Sequence, residues 1–363
     1  GSLLLRQFTQ AGSTAQNLTL TGTGSLIFGP SSSFGGNVTS VSPTLFYNGC
    51  TFNGTVIAAK NGTTSDASNG NNIFNGPFTV TNTGTGYFMM GNGSPDLWQS
   101  TATFNNQSPA NHMYIAYNST GNIFNGDVAF NNQPGTTGLW IYPNTYGTNT
   151  QYNGNISVSN INGGGVYFSN GSGTAVLANG KTISAGAGGF SSGGLIFRSF
   201  TQSGSGAAQN IVTTGTSYIQ YGNAATFNAA LNSSSPGLFF NSSTFNGTVN
   251  CTKTGTTNDQ SQGNNIFNGT STFINNGTGY LMMTNNTADA YNNDVTFVQN
   301  NTGAVYPNYN NNSTYTGSIT VTSPSATAIT FGSGNGTAIL SGSAVQYMNA
   351  TGGTATPVFT RLI

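Results

Sequence analysis

The sequence predicts an all-β fold: a parallel β-helix, that is a right-handed β-solenoid, of about 15 coils of roughly 18–30 residues each. Three observations predict it. The chain repeats itself at long range. A shorter unit, marked by an aromatic residue followed by Asn-Gly or something close, recurs inside the long repeat. After each mark, apolar and polar residues alternate.

The long repeat comes first because it decides the architecture. LLLRQFTQAGSTAQNLTLTGT near the start matches LIFRSFTQSGSGAAQNIVTTGT from Leu195. TFNGTV at Thr51 recurs at Thr244, and NNIFNG at Asn71 recurs at Asn264, on offsets of 192 or 193. YPN at Tyr142 and Tyr306, and GTAVL at Gly173 with GTAIL at Gly336, sit only 164 and 163 apart, so the second copy lacks about 30 residues. Arg6, Arg198 and Arg361 read as three instances of one position. The organisation expected is long repeat 1 over 1–192, long repeat 2 over 193–355 and one coil shorter, and the start of a third over 356–363, in one continuous rod.

The aromatic marks of the short unit are Phe34, Phe52, Phe74, Trp98, Phe124 and Tyr152, then Phe227, Phe245, Phe267, Tyr291 and Tyr315. Their spacings are 18, 22, 24, 26 and 28 in the first copy and 18, 22, 24 and 24 in the second. The missing residues are therefore one whole unit, the one carrying NSTGNIFNGDVAFNN. A fold that loses one unit without disturbing its neighbours is stacked in one dimension.

Alternation follows each mark, as in FNGPFTVTN, FNGDVAFNN and YNGNISVSN. A second alternating run comes later, as in GYFMM, GLWIYPN and GVYFSN. Period two with Val, Ile, Phe, Tyr and Thr means strands, so each unit should hold two clear strands and a short third. Gly and Asn clusters between them are turn chemistry, because both tolerate positive φ. Coils would climb by about 4.8 Å. The marked aromatics would stack inward, one per coil, and Asn side chains would hydrogen-bond from coil to coil as a ladder.

Composition agrees with stacking. Charged residues are 3% of the chain, six Lys+Arg against six Asp with no Glu, for a net charge of zero. In a stack, a charge meets its like one coil above and below, so charge is penalised wherever coils are similar. The exceptions recur: Lys60 with Lys253, Asp66 with Asp259, Asp96 with Asp289. Lys60–Asp66 and Lys253–Asp259 read as exposed loop ion pairs that pin an excursion from the rod, each worth about 0–1 kcal/mol.

Chemistry-bearing constellations are few. No basic stripe exists to track a phosphate backbone, which excludes nucleic acid as a partner. No apolar run is long enough for a spanning helix, so membrane insertion is not expected. No signal peptide or initiating Met is seen, and the chain reads as a slice of something longer. Cys50 and Cys251 occupy non-equivalent positions and read as small buried thiols. Polysaccharide-cleaving solenoids need two carboxylates about 5–10 Å apart. Asp66, Asp96 and Asp127 are the candidates for that role, but each sits in a turn-like context. His112, the one histidine, has no partner set for triad chemistry and reads as solvent-facing. Neither a calcium-binding nonapeptide nor a phosphate loop is complete. The Thr-x-Thr runs are too irregularly spaced for an ice-binding face. Asn-x-Ser/Thr sequons are abundant, as composition alone would make them. No catalytic, metal or cofactor site is expected.

Taken in order, NNIFNG…FTVTNTGTGYFMM, AYNSTGNIFNGDVAFNN and GVYFSNGSGTAVLANGKTIS followed by GGLIFRSFTQSGS resemble the long repeats of giant secreted surface proteins of Bacteroidota, adhesin-like and exported by the type IX route. The resemblance covers the whole chain. It implies an extracellular or cell-surface filament or stalk, mechanical and adhesive in role and non-enzymatic. The partners expected are further copies of itself, end to end or laterally, and glycans or surfaces.

Overall fold

The computed structural model describes residues 1–325, 327–342, 348–351 and 358–359. Among these residues there is no helix, and the paired strands are parallel: the fold is an all-β solenoid. The chain divides into two compact units, Gly1–Gly194 and Leu195–Ile363. Arg361, the third instance of its repeat position, lies outside the described residues.

Each coil has three faces where two clear strands and a short third were expected. In the first unit a short-strand face runs in eight steps from Thr9–Gln10 to Ala175–Leu177. A long-strand face runs in eight from Gln16–Thr19 to Ile183–Phe190. The third face carries the second alternating run: Thr44–Tyr47, Phe88–Met90, Met113–Ala116, Trp140–Asn144 and Gly165–Phe168 among its strands. Among its described residues the second unit has seven short and seven long strands, and a third face built the same way.

The alternation seen in the sequence is the in–out pattern of the coil. Phe78–Asn82, Ala102–Asn106 and Val128–Asn132 each alternate buried and half-buried, and pair residue for residue from coil to coil. On the short-strand face every marked aromatic points inward and is at most 1% exposed. Rings lie nearly flat on one another: Phe34 on Phe52 at 5.0 Å, Phe52 on Phe74 at 5.3 Å, Trp98 on Phe124 at 4.2 Å and Phe124 on Tyr152 at 5.0 Å. The second unit repeats the column through Phe245, Phe267, Tyr291 and Tyr315, with steps of 4.9–5.0 Å. Such offset contacts add about 0.5–1.5 kcal/mol per pair beyond burial.

The Asn-Gly that follows Phe52, Phe74, Phe124, Tyr152, Phe245 and Phe267 has two separate physical reasons. The Asn builds an exposed ladder: Asn75 Nδ2 donates to Asn53 Oδ1 at 2.7 Å, and Asn153 Nδ2 to Asn125 Oδ1 at 2.8 Å. Asn246, Asn268 and Asn292 do the same in the second unit. The Gly is needed for close approach. A Cβ at Gly76 would meet the Gly54 carbonyl oxygen at 2.4 Å, and one at Gly154 would meet that of Gly126 at 2.2 Å. Positive φ belongs instead to the turn before the mark, at Gly70 and Asn71 and again at Gly263 and Asn264.

Candidate functional site

The repeated Lys and Asp are not exposed loop pairs. Lys60, Asp66, Lys253 and Asp259 are all 0% exposed. Each Lys is the last inward residue of a long strand, in register with Ser42 and Asn82 in the first unit and with Ser235 and Asn275 in the second. The small Ser on the preceding coil leaves room for it. Each Asp stands where the third face is interrupted, since Thr44–Tyr47 and Asp66–Ala67 belong to different sheets, as do Gly237–Asn241 and Asp259–Gln260. Side chains fill the gap. Asp66 Oδ2 accepts from the Leu45 amide at 2.7 Å, and Ser68 Oγ from the Tyr47 amide at 3.0 Å. Asp259 and Ser261 accept likewise from Leu238 and Phe240, at 2.8 and 3.0 Å. The carboxylate thus replaces a missing main-chain acceptor, and the Lys supplies its counter-charge.

The two copies differ in how closely the charges meet. Lys253 Nζ lies 3.4 Å from Asp259 Oδ2 and donates to the Pro236 and Gly255 carbonyls. Lys60 Nζ donates to the Gly62 carbonyl at 3.2 Å. Burial lowers the pKa of both lysines against the opposing pull of their Asp partners, and it pushes Asp66 up to about 7. A buried pair of this kind costs about 3–5 kcal/mol when one partner alone is removed, which replaces the small value of a surface pair.

Asp96 and Asp289 are also interior, each 1% exposed, rather than turn residues at the surface. Asp96 Oδ1 accepts from the backbone and side-chain nitrogens of Asn72 at 2.9 and 2.8 Å; Asp289 is held the same way by Asn265. Burial raises both to about 7, against the lowering effect of those hydrogen bonds. The two remaining carboxylates face solvent in different units and cap turns. Asp127 Oδ1 accepts from the Asn155 amide at 2.8 Å, and Asp294 Oδ1 from the Ser318 amide at 2.7 Å. Asp127 borders a shallow groove of about 320 Å³ on the long-strand face, between Thr103, Ala129 and Ser157. The two-carboxylate arrangement of a glycosidase has no solvent-facing pair within either unit.

Both cysteines are buried and unbridged. The Cys50 thiol donates to the Gly29 carbonyl, Cys251 Sγ accepts from Ser233, and burial pushes both up to about 12. Among the described residues no three His, Cys or Asp side chains gather as a metal site needs, and no helix is long and apolar enough to cross a membrane.

The third face of the first unit carries an outward cluster of rings that the sequence reading did not single out. Tyr114 and Tyr142 stack at 5.1 Å and 18°. Tyr87 meets Tyr114 edge-on at 5.8 Å, and Tyr167 packs against Tyr142 at 6.3 Å and Trp140 at 5.9 Å. Tyr117 and the 48%-exposed Tyr146 extend the cluster at 5.4 Å steps. The other rings are half-buried. Glycines seat two of them: a Cβ at Gly164 would meet the Trp140 indole at 2.3 Å, and one at Gly171 the Tyr146 ring at 2.5 Å.

His112 belongs to this cluster, half-buried rather than solvent-facing, with its ring 5.4 Å from that of Tyr142. The Trp140 amide donates to His112 Nδ1 at 3.0 Å, so Nε2 carries the ring proton, and burial lowers the pKa and keeps the ring neutral. The Tyr142 phenol is pushed up to about 12, by burial first and then by Tyr114 and Tyr167, so it keeps its proton. The arrangement offers flat apolar rings edged with neutral donors and acceptors. The signal was present in the register: in MYIAY, inward Met113 and Ile115 put Tyr114 outward.

No protein-family model matches the chain, and neither the curated proteins nor the solved structures yield a significant match.

Proposed function

We propose that the chain is a structural repeat segment of an extracellular or cell-surface filament or stalk, mechanical and adhesive in role and without catalytic activity. The observation that carries this reading is the direction of the main-chain hydrogen bonds. They run from coil to coil on all three faces of each unit, so load along the stacking direction falls on a whole coil's set of bonds at once. The interior supports the same reading. Four of the chain's six carboxylates are sealed in it. The resemblance of the repeats to giant secreted surface proteins supports the location. Unpaired edges at the ends of a stack invite further coils or further copies, so the partners are other copies of the chain, and glycans or surfaces on the outer faces.

Electron microscopy of the native material tests the proposal. Long fibres whose cross-section matches one coil are expected. Discrete globular particles, or turnover of a polysaccharide by the purified chain, would overturn it.

A further inference from the structure

We infer that the outward aromatic cluster of the first unit is a binding platform for a neutral polysaccharide, laid across the Tyr114, Tyr142 and Trp140 rings. The inference rests on the adhesive half of the function proposed above and is independent of the mechanical half.

Four observations lead to it. First, the cluster is not required by the fold. Among the described residues, the second unit's third face brings together fewer rings: Tyr218 meets Phe239, and Tyr306 meets Tyr280 and Tyr309. On the 164-residue offset Trp140 becomes Ala304 and Tyr146 becomes Asn310, and the coil bearing His112, Tyr114 and Tyr117 is the one the second copy lacks. Second, the rings are held in place before any ligand arrives, by each other and by Gly164 and Gly171 beneath them. Pre-ordered aromatic surface binds at low entropic cost.

Third, the chemistry is mixed in the way a sugar requires. The exposed apolar parts of the rings suit the C–H faces of pyranoses. Phenol hydroxyls, the Trp140 indole N–H and the His112 Nε2–H suit sugar hydroxyls. Successive coils stand about 4.8 Å apart, close to the length of one pyranose ring, so consecutive sugars meet consecutive rings. Every ring but those of Trp140 and His112 carries a hydroxyl, so each apolar surface has a neutral polar group beside it. Fourth, no charged side chain belongs to these strands. Lys60, Asp66 and Asp96 are buried, Asp127 and Lys181 sit at turns entering the long-strand face, and Arg6 follows the first strand. The four strands that carry the platform thus present no cation of their own to an anionic polymer.

The full chain is tested for retention on cellulose and in gels containing soluble xylan or mixed-linkage β-glucan, with alginate as the anionic control. Retention on at least one neutral polysaccharide, insensitive to salt, is expected, with none on alginate. Titration with the retained polysaccharide should shift the emission of the half-exposed Trp140, since Trp98 is sealed in the core. A variant combining Tyr114→Ala, Trp140→Ala and Tyr142→Ala should lose about tenfold or more in affinity, equivalent to about 1.4 kcal/mol; Tyr218→Ala in the second unit should lose none.

The inference is overturned if no neutral polysaccharide is retained, if only alginate is, or if a folded triple variant binds as well as the parent. It is also overturned if sedimentation shows copies pairing through this face. Should the triple variant fail to fold, the emission titration on the unaltered chain decides: no shift with any neutral polysaccharide overturns the inference. Fibres without sugar binding would remove the platform and leave the stalk; sugar binding without fibres would do the reverse.

Discussion

The two long repeats share an interior and differ on one outer face. Inside, Trp98 and Tyr291 fill the same place in their columns, Asp66 and Asp259 mend the same gap, and Asp96 and Asp289 take the same Asn partner. Outside, one repeat carries a bank of rings spread over several coils, where the described residues of the other bring together fewer: Tyr218 with Phe239, and Tyr306 with Tyr309. An inward residue must fit the coils above and below, so stacking holds it to a narrow choice. An outward residue meets solvent and one or two neighbours, and can change with little effect on stability. Specific recognition is therefore to be sought on outward positions, and the repeat with the extra coil is where it accumulates.

Core truncation should break the likeness most severely. Trp98→Ala and Tyr291→Ala should each cost about 3–5 kcal/mol, read as a fall in the urea midpoint. Equal losses are expected, and a tolerated substitution in either copy would mean that its column is not a packed stack. The buried pairs come next and should expose a difference. Lys253→Met strands Asp259 beside a closer former partner, with a loss approaching about 3–5 kcal/mol at pH 8. Lys60→Met should cost less, because Lys60 is bonded chiefly to a carbonyl. Both losses should shrink toward pH 5 as the stranded carboxyl protonates. Equal losses would show that the difference in geometry has no energetic weight.

Acid–base linkage should be alike in the two copies. Asp96 and Asp289 titrate near 7 when folded, against about 3.9 in an unfolded chain. Their contribution to stability is fully present below about pH 4 and is lost as pH rises through about 7. The denaturation midpoint should therefore be higher at pH 5 than at pH 8. Asp96→Asn or Asp289→Asn, which keep the Oδ1 acceptor, should flatten that dependence and stabilise at pH 8, by about 1.4 kcal/mol for each unit of raised pKa removed. A midpoint that instead rises with pH would mean these carboxylates are ionised in the fold. The smallest effect belongs to the outer face. Tyr142→Ala should change stability by under about 1 kcal/mol, and a larger loss would make the rings structural rather than available for binding.

Much of the interior is legible in the chain itself. The aromatic before Asn-Gly marks the short-strand face, and alternation after it orients each long strand. The misread residues show which rule should have prevailed. Lys60 closes VIAAK, in which Val56 and Ala58 point inward, and the same parity sends Lys60 inward. The general rule that charge is exposed conflicts with that period, and in the fold the period prevails. The Asn-Gly glycine answers to close approach between coils rather than to positive φ. The outward tyrosines follow from parity too, once inward neighbours are named, but their adjacency does not.

The sequence by itself determined that the chain stacks, which residues repeat from coil to coil, and which parity faces the core, because a two-residue period admits only two sides. Tertiary structure alone decided that the third face is interrupted where Asp66 and Asp259 substitute for a backbone acceptor, and that His112, Tyr114, Trp140 and Tyr146 from different coils share one surface. Coils of unequal length carry their strands through loops whose geometry no local pattern encodes. Which outward residues become neighbours is settled only when the main-chain ladders lock the register.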